Sequence, residues 1–117
     1  MNIVYASNDA YVPFLGISLF SLLENNRQLD KICVFVLSDS ISEKNKGALN
    51  DMAIRYDREI VYIDLKEMKE FIPFHFDTFG FHPIVLSRLF LDVLLDREVN
   101  QVLYLDCDTI IDGSLEE

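Results

Sequence analysis

Lys31-Ile32-Cys33-Val34-Phe35-Val36-Leu37-Ser38 is apolar at nearly every position. A strand with one face in water alternates apolar and polar residues, whereas a run without alternation suits a strand covered on both faces. Sheets of that kind are built from parallel strands joined by helices, and the flanking sequence supplies a helix on each side. Upstream, residues 11–26 read as a helix with Pro13 in its first turn, where a missing amide hydrogen is tolerated. Its apolar residues Phe14, Ile17, Leu19, Phe20, Leu22 and Leu23 cover much of the circumference, which predicts deep burial. Downstream, Ser40-Ile41-Ser42-Glu43 has capping-box spacing and opens a second helix, along which Leu49, Met52, Ala53 and Tyr56 recur at helical spacing.

Further out, residues 2–6 form a first strand stopped by Ser7-Asn8-Asp9, a polar turn with helix-capping chemistry. Residues 59–65 (EIVYIDL) read as a third strand and 66–71 as a short helix. Residues 73–83 have no clean period and read as a Phe-rich loop. A third long helix follows over 84–96, then a fourth strand over 101–105. Thr109 to Asp112 reads as a brief strand before the Asp112-Gly113 turn, and Ser114 as a helix cap. The order β-α-β-α-β-(α)-α-β predicts an α/β fold: a Rossmann-like, mostly parallel sheet with helices on both faces. In such sheets ligands bind beyond the carboxyl ends of the strands, where the strand order reverses. Ser7-Asn8-Asp9 and Asp106-Cys107-Asp108 both lie at strand carboxyl ends, and they rim one crevice if the first and fourth strands are neighbours.

The chemistry concentrates in Leu103-Tyr104-Leu105-Asp106-Cys107-Asp108-Thr109. Successive side chains of a strand alternate, so Asp106 and Asp108 are expected to share a face. Two unpaired carboxylates ending an apolar strand call for a hard cation. Mg²⁺ or Mn²⁺ is typically held by one or two carboxylates together with substrate phosphates. Composition agrees. The 117 residues carry 20 acids against 10 bases, a net charge of −10, so a phosphate ligand needs a cation's help. The same acidity, with no Lys/Arg cluster, argues against nucleic-acid partners and anionic membrane surfaces. With 50% hydrophobic residues the chain is not disordered. Of the two cysteines, Cys33 reads as a buried small hydrophobe and Cys107 as a thiol whose pKa the flanking acids raise. They fit no zinc spacing and suggest a reducing compartment. With no signal peptide and no apolar run long enough to span a bilayer, a cytoplasmic location is expected.

G-x-G-x-x-G and the P-loop are both absent, so the layout must hold a diphosphate by other means. At this point the residues resemble a known family. Ile3-Val4-Tyr5-Ala6-Ser7-Asn8-Asp9-Ala10-Tyr11, Ile41-Ser42-Glu43, Ser87-Arg88-Leu89 and Leu103-Tyr104-Leu105-Asp106-Cys107-Asp108 occur in the order and spacing typical of glycosyltransferase family 8. These are retaining enzymes that include lipopolysaccharide galactosyl- and glucosyltransferases and glycogenin. The resemblance implies an A-type, nucleotide-diphospho-sugar transferase fold and transfer of a hexose, glucose or galactose, from a UDP-sugar to a saccharide or lipopolysaccharide acceptor. It implies that Asp106 and Asp108 bind Mn²⁺ (or Mg²⁺) bridging the diphosphate, with Cys107 contributing at most backbone beside the metal. It places uracil and ribose at Ala6, Asn8 and Tyr11, and the donor sugar or diphosphate at Arg88. Two positions depart from the family pattern: Asn8 stands where Asp is frequent, and Ala10, where Asn is frequent, lacks a polar contact. Family members run well beyond Glu117, where a third metal ligand and most acceptor-binding and catalytic groups are expected. Residues 1–117 are therefore expected to be the nucleotide-sugar-binding half of a domain, inactive alone and prone to self-association through the Phe-rich loop and the outer faces of the sheet.

Plainer roles compete at each position. Asn8 and Asp9 are also good caps. Tyr11 could be a core aromatic. Arg88 has Asp92 four residues on, a surface pairing worth ~0.3–0.5 kcal/mol. His75 and His82, within the Phe-rich loop, are assigned no metal role. Two other functions fit parts of the pattern. A haloacid-dehalogenase-type phosphatase also places D-x-D after an apolar strand, but needs a threonine or valine where Ile110 stands. The other is a non-catalytic nucleotide-binding module.

Overall fold

The computed structural model describes residues 1–65, 95 and 99–116. The predicted elements over 66–94, the Phe-rich loop included, lie outside them. Strand β1 (Asn2–Asn8) runs through a single 3-10 turn (Asp9–Tyr11) into helix α1 (Val12–Asn25). Strand β2 (Cys33–Asp39), helix α2 (Glu43–Arg55), strand β3 (Ile60–Asp64) and the short strand β4 (Leu103–Tyr104) follow. The sheet order is β3-β2-β1-β4, and all three pairings are parallel. β1 registers Ile3 on Val34 and Leu103, and Val4 on Phe35 and Tyr104. The chain thus builds outward from β1 to β3 on one side, then returns to add β4 on the other, which puts the reversal of strand order between β1 and β4.

Alternation divides the strand residues between two cores. Ile3, Tyr5, Val34 and Val36 face α1 and α2, where Leu15, Leu19, Leu22 and Leu49 complete the larger core. Val4 and Leu37 face the other way, with Leu65 and Leu95, and Val99, Val102 and Tyr104 pack at the margin. The expectation for residues 31–38 holds: β2 is covered on both faces. The α1 leucines are fully buried, each contributing about 1.5–3 kcal/mol of apolar transfer free energy.

Three expectations are corrected. α1 is not buried all round: Phe14, Ile17 and Phe20 are 50%, 58% and 50% exposed. The sheet and α2 cover one side of the helix only, and no described layer lies over the other. Cys33 is exposed, because it begins β2 at the rim of the sheet, one residue before the core position Val34. The brief strand at Thr109 to Asp112 is irregular chain. Its backbone is satisfied by α1 side chains, with Ile111 N donating to Ser21 Oγ at 2.9 Å and Ile111 O accepting from Asn25 Nδ2 at 2.7 Å.

The start of α2 also differs in detail. Ser42, not Ser40, is the N-cap, and its Oγ accepts from Asn45 N at 3.2 Å. Ser40 sits at φ 57° in the left-handed region, where it turns the chain out of β2.

Candidate functional site

Because β1 and β4 are parallel neighbours, their carboxyl ends open on the same side of the sheet, and both polar clusters lie there. β4 ends at Tyr104, after one more ladder bond from Leu105 N to Val4 O at 2.9 Å. Asp106 and Asp108 therefore stand on a turn rather than on a strand. The Thr109 amide donates to Asp106 O at 3.2 Å, and the Thr109 hydroxyl donates to the same oxygen at 2.7 Å. The strand expected beneath the two aspartates is thus replaced by a turn that Thr109 closes onto the Asp106 carbonyl, with both carboxylates exposed.

Among the described residues neither carboxylate has a hydrogen-bonding or ion-pair partner, and no group of three or more metal-ligating side chains occurs. Two free hard-oxygen ligands on a strongly acidic chain fit a Mg²⁺- or Mn²⁺-like ion that completes its shell with phosphate oxygens and water. Cys107, between them, is half-buried and donates its thiol to Ala6 O at 3.0 Å, tying the turn to β1. Its pKa is raised, chiefly by burial and secondarily by the charges of Asp106 and Asp108, with a Ser7 hydrogen bond acting in the opposite direction. The thiol is thus a neutral donor at neutral pH.

On β1, Asn8 Oδ1 accepts from Tyr11 N at 3.0 Å and caps the 3-10 turn, while the half-buried Asn8 side chain keeps its NH2 without a partner among the described residues. Tyr11 is 53% exposed and lies against Phe14 with ring centroids 6.0 Å apart. It is not a core aromatic. Ala6 is half-buried and its carbonyl is engaged by Cys107. Asp9 points away to α2: its Oδ1 accepts from Ser42 N at 2.9 Å and Asn45 Nδ2 at 2.7 Å. The structure thus brings Ala6, Asn8, Tyr11, Asp106, Cys107 and Asp108 to one end of two adjacent strands. Arg88, His75 and His82 lie outside the described residues.

Nothing in the sequence reading flagged the polar residues on the buried side of α1. Ser18 is fully buried and bonds both Tyr5 Oη (2.8 Å) and Thr109 Oγ1 (3.1 Å). Burial pushes the Tyr5 phenol up to about 12. Ser21 and Asn25 hold Ile111, while Asn26 bonds Gly113 O at 3.4 Å and Leu115 N at 2.6 Å. The available signal was Ser18, Ser21, Asn25 and Asn26 recurring at helical spacing among leucines. Two cavities, of about 430 and 930 Å³, lie at the opposite, amino ends of the strands, lined among others by Lys31 and Asp30, and do not reach the candidate site.

Several known proteins resemble the chain. A Haemophilus influenzae protein provisionally named a glycosyltransferase is 28% identical over 117 residues, covering 100% of this chain and 34% of that protein. General stress protein A of Bacillus subtilis is 25% identical over 114 residues, covering 95% of this chain and 38% of that one. The chain thus spans little more than a third of these relatives' lengths. Among solved structures, the galactosyltransferase LgtC in complex with donor and acceptor sugar analogues superposes with TM-score 0.78 at 28% identity, over 98% of this chain and 40% of that one. The bifunctional glycosyltransferase WbbM, at 20% identity and TM-score 0.84 over 98% of this chain and 20% of that one, shares the fold. The model of glycosyl transferase family 8 matches residues 2–117, the parallel sheet and its aspartate turn included, and the chain belongs to that family.

Proposed function

We propose that this chain is the donor-binding part of a metal-dependent retaining glycosyltransferase, which moves a hexose, glucose or galactose, from a UDP-sugar to a saccharide or lipopolysaccharide acceptor. The observation that carries the reading is the pair of unpartnered carboxylates, Asp106 and Asp108, at the reversal of strand order beside the end of β1. The two aspartates would hold Mn²⁺ or Mg²⁺ against the diphosphate. When bound, the ion would supply Lewis-acid stabilisation of the departing nucleotide. Asn8 retains an amide donor suited to a uracil carbonyl, Tyr11 an exposed ring suited to stacking, and Ala6, on the same strand end, is assigned beside them on the family pattern. Arg88 is assigned the donor sugar or diphosphate on the family pattern alone. Acceptor-binding and catalytic groups are assigned to the length of the relatives that this chain does not cover, so residues 1–117 bind donor without turning it over. A cytoplasmic setting is part of the same proposal. It is compatible with the thiols and with the lack, among the described residues, of any helix long and apolar enough to cross a membrane.

Calorimetric titration of UDP with and without a chelator tests the reading. Affinity is expected to fall when the metal is removed, and Asp108→Asn should abolish that dependence while leaving the circular dichroism unchanged. Equal affinity in both conditions would overturn the assignment.

A further inference from the structure

The donors and acceptors between the core and the aspartate turn can be ordered one by one. Thr109 has a single hydroxyl hydrogen, and the structure directs it to Asp106 O at 2.7 Å. Towards Ser18, 3.1 Å away, Thr109 Oγ1 can therefore only accept. The Ser18 hydrogen is thereby spent on Thr109, so at the 2.8 Å contact with Tyr5 it is the phenol that donates. The result is a one-way chain: Tyr5 O–H to Ser18, Ser18 to Thr109, Thr109 to the Asp106 carbonyl. Tyr5 and Ser18 are both 0% exposed. Hydroxyls so buried cost free energy unless paired, and each of these is paired. The chain ends on the carbonyl of the first aspartate, which also receives the Thr109 amide, so two donors hold one oxygen and set the turn that carries both carboxylates.

We propose that Tyr5, Ser18 and Thr109 are positioning residues: a unidirectional hydrogen-bond relay from the core of the sheet that holds the Asp106–Cys107–Asp108 turn in the conformation that presents both carboxylates to a divalent cation. The inference rests on the metal-binding reading above. It adds that the geometry of the pair is imposed from behind, through α1, and not by the ion alone. The purpose of three hydroxyls where apolar side chains would pack is then to define a single turn conformation before the ion arrives. Supporting residues of this kind typically matter about 10–100-fold for metal affinity.

The test compares Thr109→Val, which keeps shape and β-branching but removes the hydroxyl, with Thr109→Ser, which restores it. Tyr5→Phe interrupts the far end of the relay in case the valine variant folds poorly. Two readouts are taken on the full-length protein: amide hydrogen exchange of residues 106–112, and binding of Mn²⁺ in the presence of UDP, followed by the free-ion paramagnetic resonance signal. Thr109→Val is expected to speed exchange in this segment by about tenfold and to weaken Mn²⁺ by about tenfold or more, with Tyr5→Phe acting in the same direction and Thr109→Ser close to the parent. Unchanged exchange would overturn the relay whether or not the metal binds. Faster exchange with unchanged Mn²⁺ affinity would reduce the three residues to structural hydroxyls and would also overturn it. If the parent and Asp108→Asn alike fail to bind Mn²⁺, the metal reading itself falls, and the relay's proposed purpose falls with it.

Discussion

Asp9 joins two elements through a single carboxylate oxygen, which accepts from the backbone amide of Ser42 and the side-chain amide of Asn45 at the mouth of α2. The Ser42 amide, then Asn45, hold its pKa below the usual carboxylate range. A depressed folded pKa means that the ionised form is the one the fold favours. The stabilisation is present at neutral pH and is lost as pH falls through the usual carboxylate range and on through the lowered folded value. Thermal melts of Asp9→Asn are therefore expected to show a shallower loss of stability than the parent below about pH 4; parallel curves would show that the Asp9 tie does not stabilise the fold. Tyr5 behaves in the opposite sense. With its pKa raised to about 12, it stays neutral while an unfolded-chain tyrosine ionises near pH 10. Its contribution is full below that and is lost as pH climbs towards about 12. Tyr5→Phe should flatten the alkaline limb of a stability profile, a change that monitoring tyrosinate absorbance during unfolding can follow. Asp9 was legible as a cap from its place after a strand, but its target was not, since Ser42 is reached only once α2 packs beside α1.

At the scale of elements, α1 does two jobs. Its leucines bury against the sheet, while Ser18, Ser21, Asn25 and Asn26 hold the chain that follows the aspartates. Asn26 is fully buried, donates to Leu22 O at 2.9 Å and accepts from Leu115 N. Asn26→Ala leaves that amide and the Gly113 carbonyl without this partner and should cost about 1–3 kcal/mol in denaturant unfolding. A loss within error would mean that water replaces the side chain at no cost. In α2, a Cβ added at Gly47 meets nothing within 4 Å. Gly47→Ala removes a glycine from a helix interior, and it is expected to stabilise the protein by about 0.5–1 kcal/mol, read as a higher denaturation midpoint. The span of α1 was legible from apolar recurrence and Pro13, and the existence of α2 from its recurring Leu49, Met52, Ala53 and Tyr56. Which side of α1 met solvent was not, because Phe14, Ile17 and Phe20 are as hydrophobic as the residues that are buried.

For the whole molecule, the parallel order β3-β2-β1-β4 matters most, since it alone makes the end of β1 and the aspartate turn neighbours. The half-exposed Tyr11, Phe14, Ile17 and Phe20 lie along the side of α1 and its lead-in turn that no described element covers. Apolar surface in water costs ~25 cal/mol per Å². The 117-residue chain on its own is accordingly proposed to self-associate, with Ile17→Lys lowering the apparent mass in light scattering. A monomer at high concentration, unaffected by that substitution, would reject the idea.

The sequence by itself determined the class of fold, the span of α1, the cover of the central strand β2 on both faces and the family, because these follow from local periodicity and from motifs read in order. Only the tertiary structure decided that the aspartates stand on a turn rather than a strand, that Cys33 is exposed, that residues 109–112 dock on α1 instead of pairing in the sheet, and that a buried tyrosine and serine are linked through Thr109 to the Asp106 carbonyl. The reason is physical: periodicity reports which residues prefer to leave water, whereas the partner of a buried hydroxyl, amide or carbonyl is set by contacts some 90 residues apart in the chain, which no local pattern encodes.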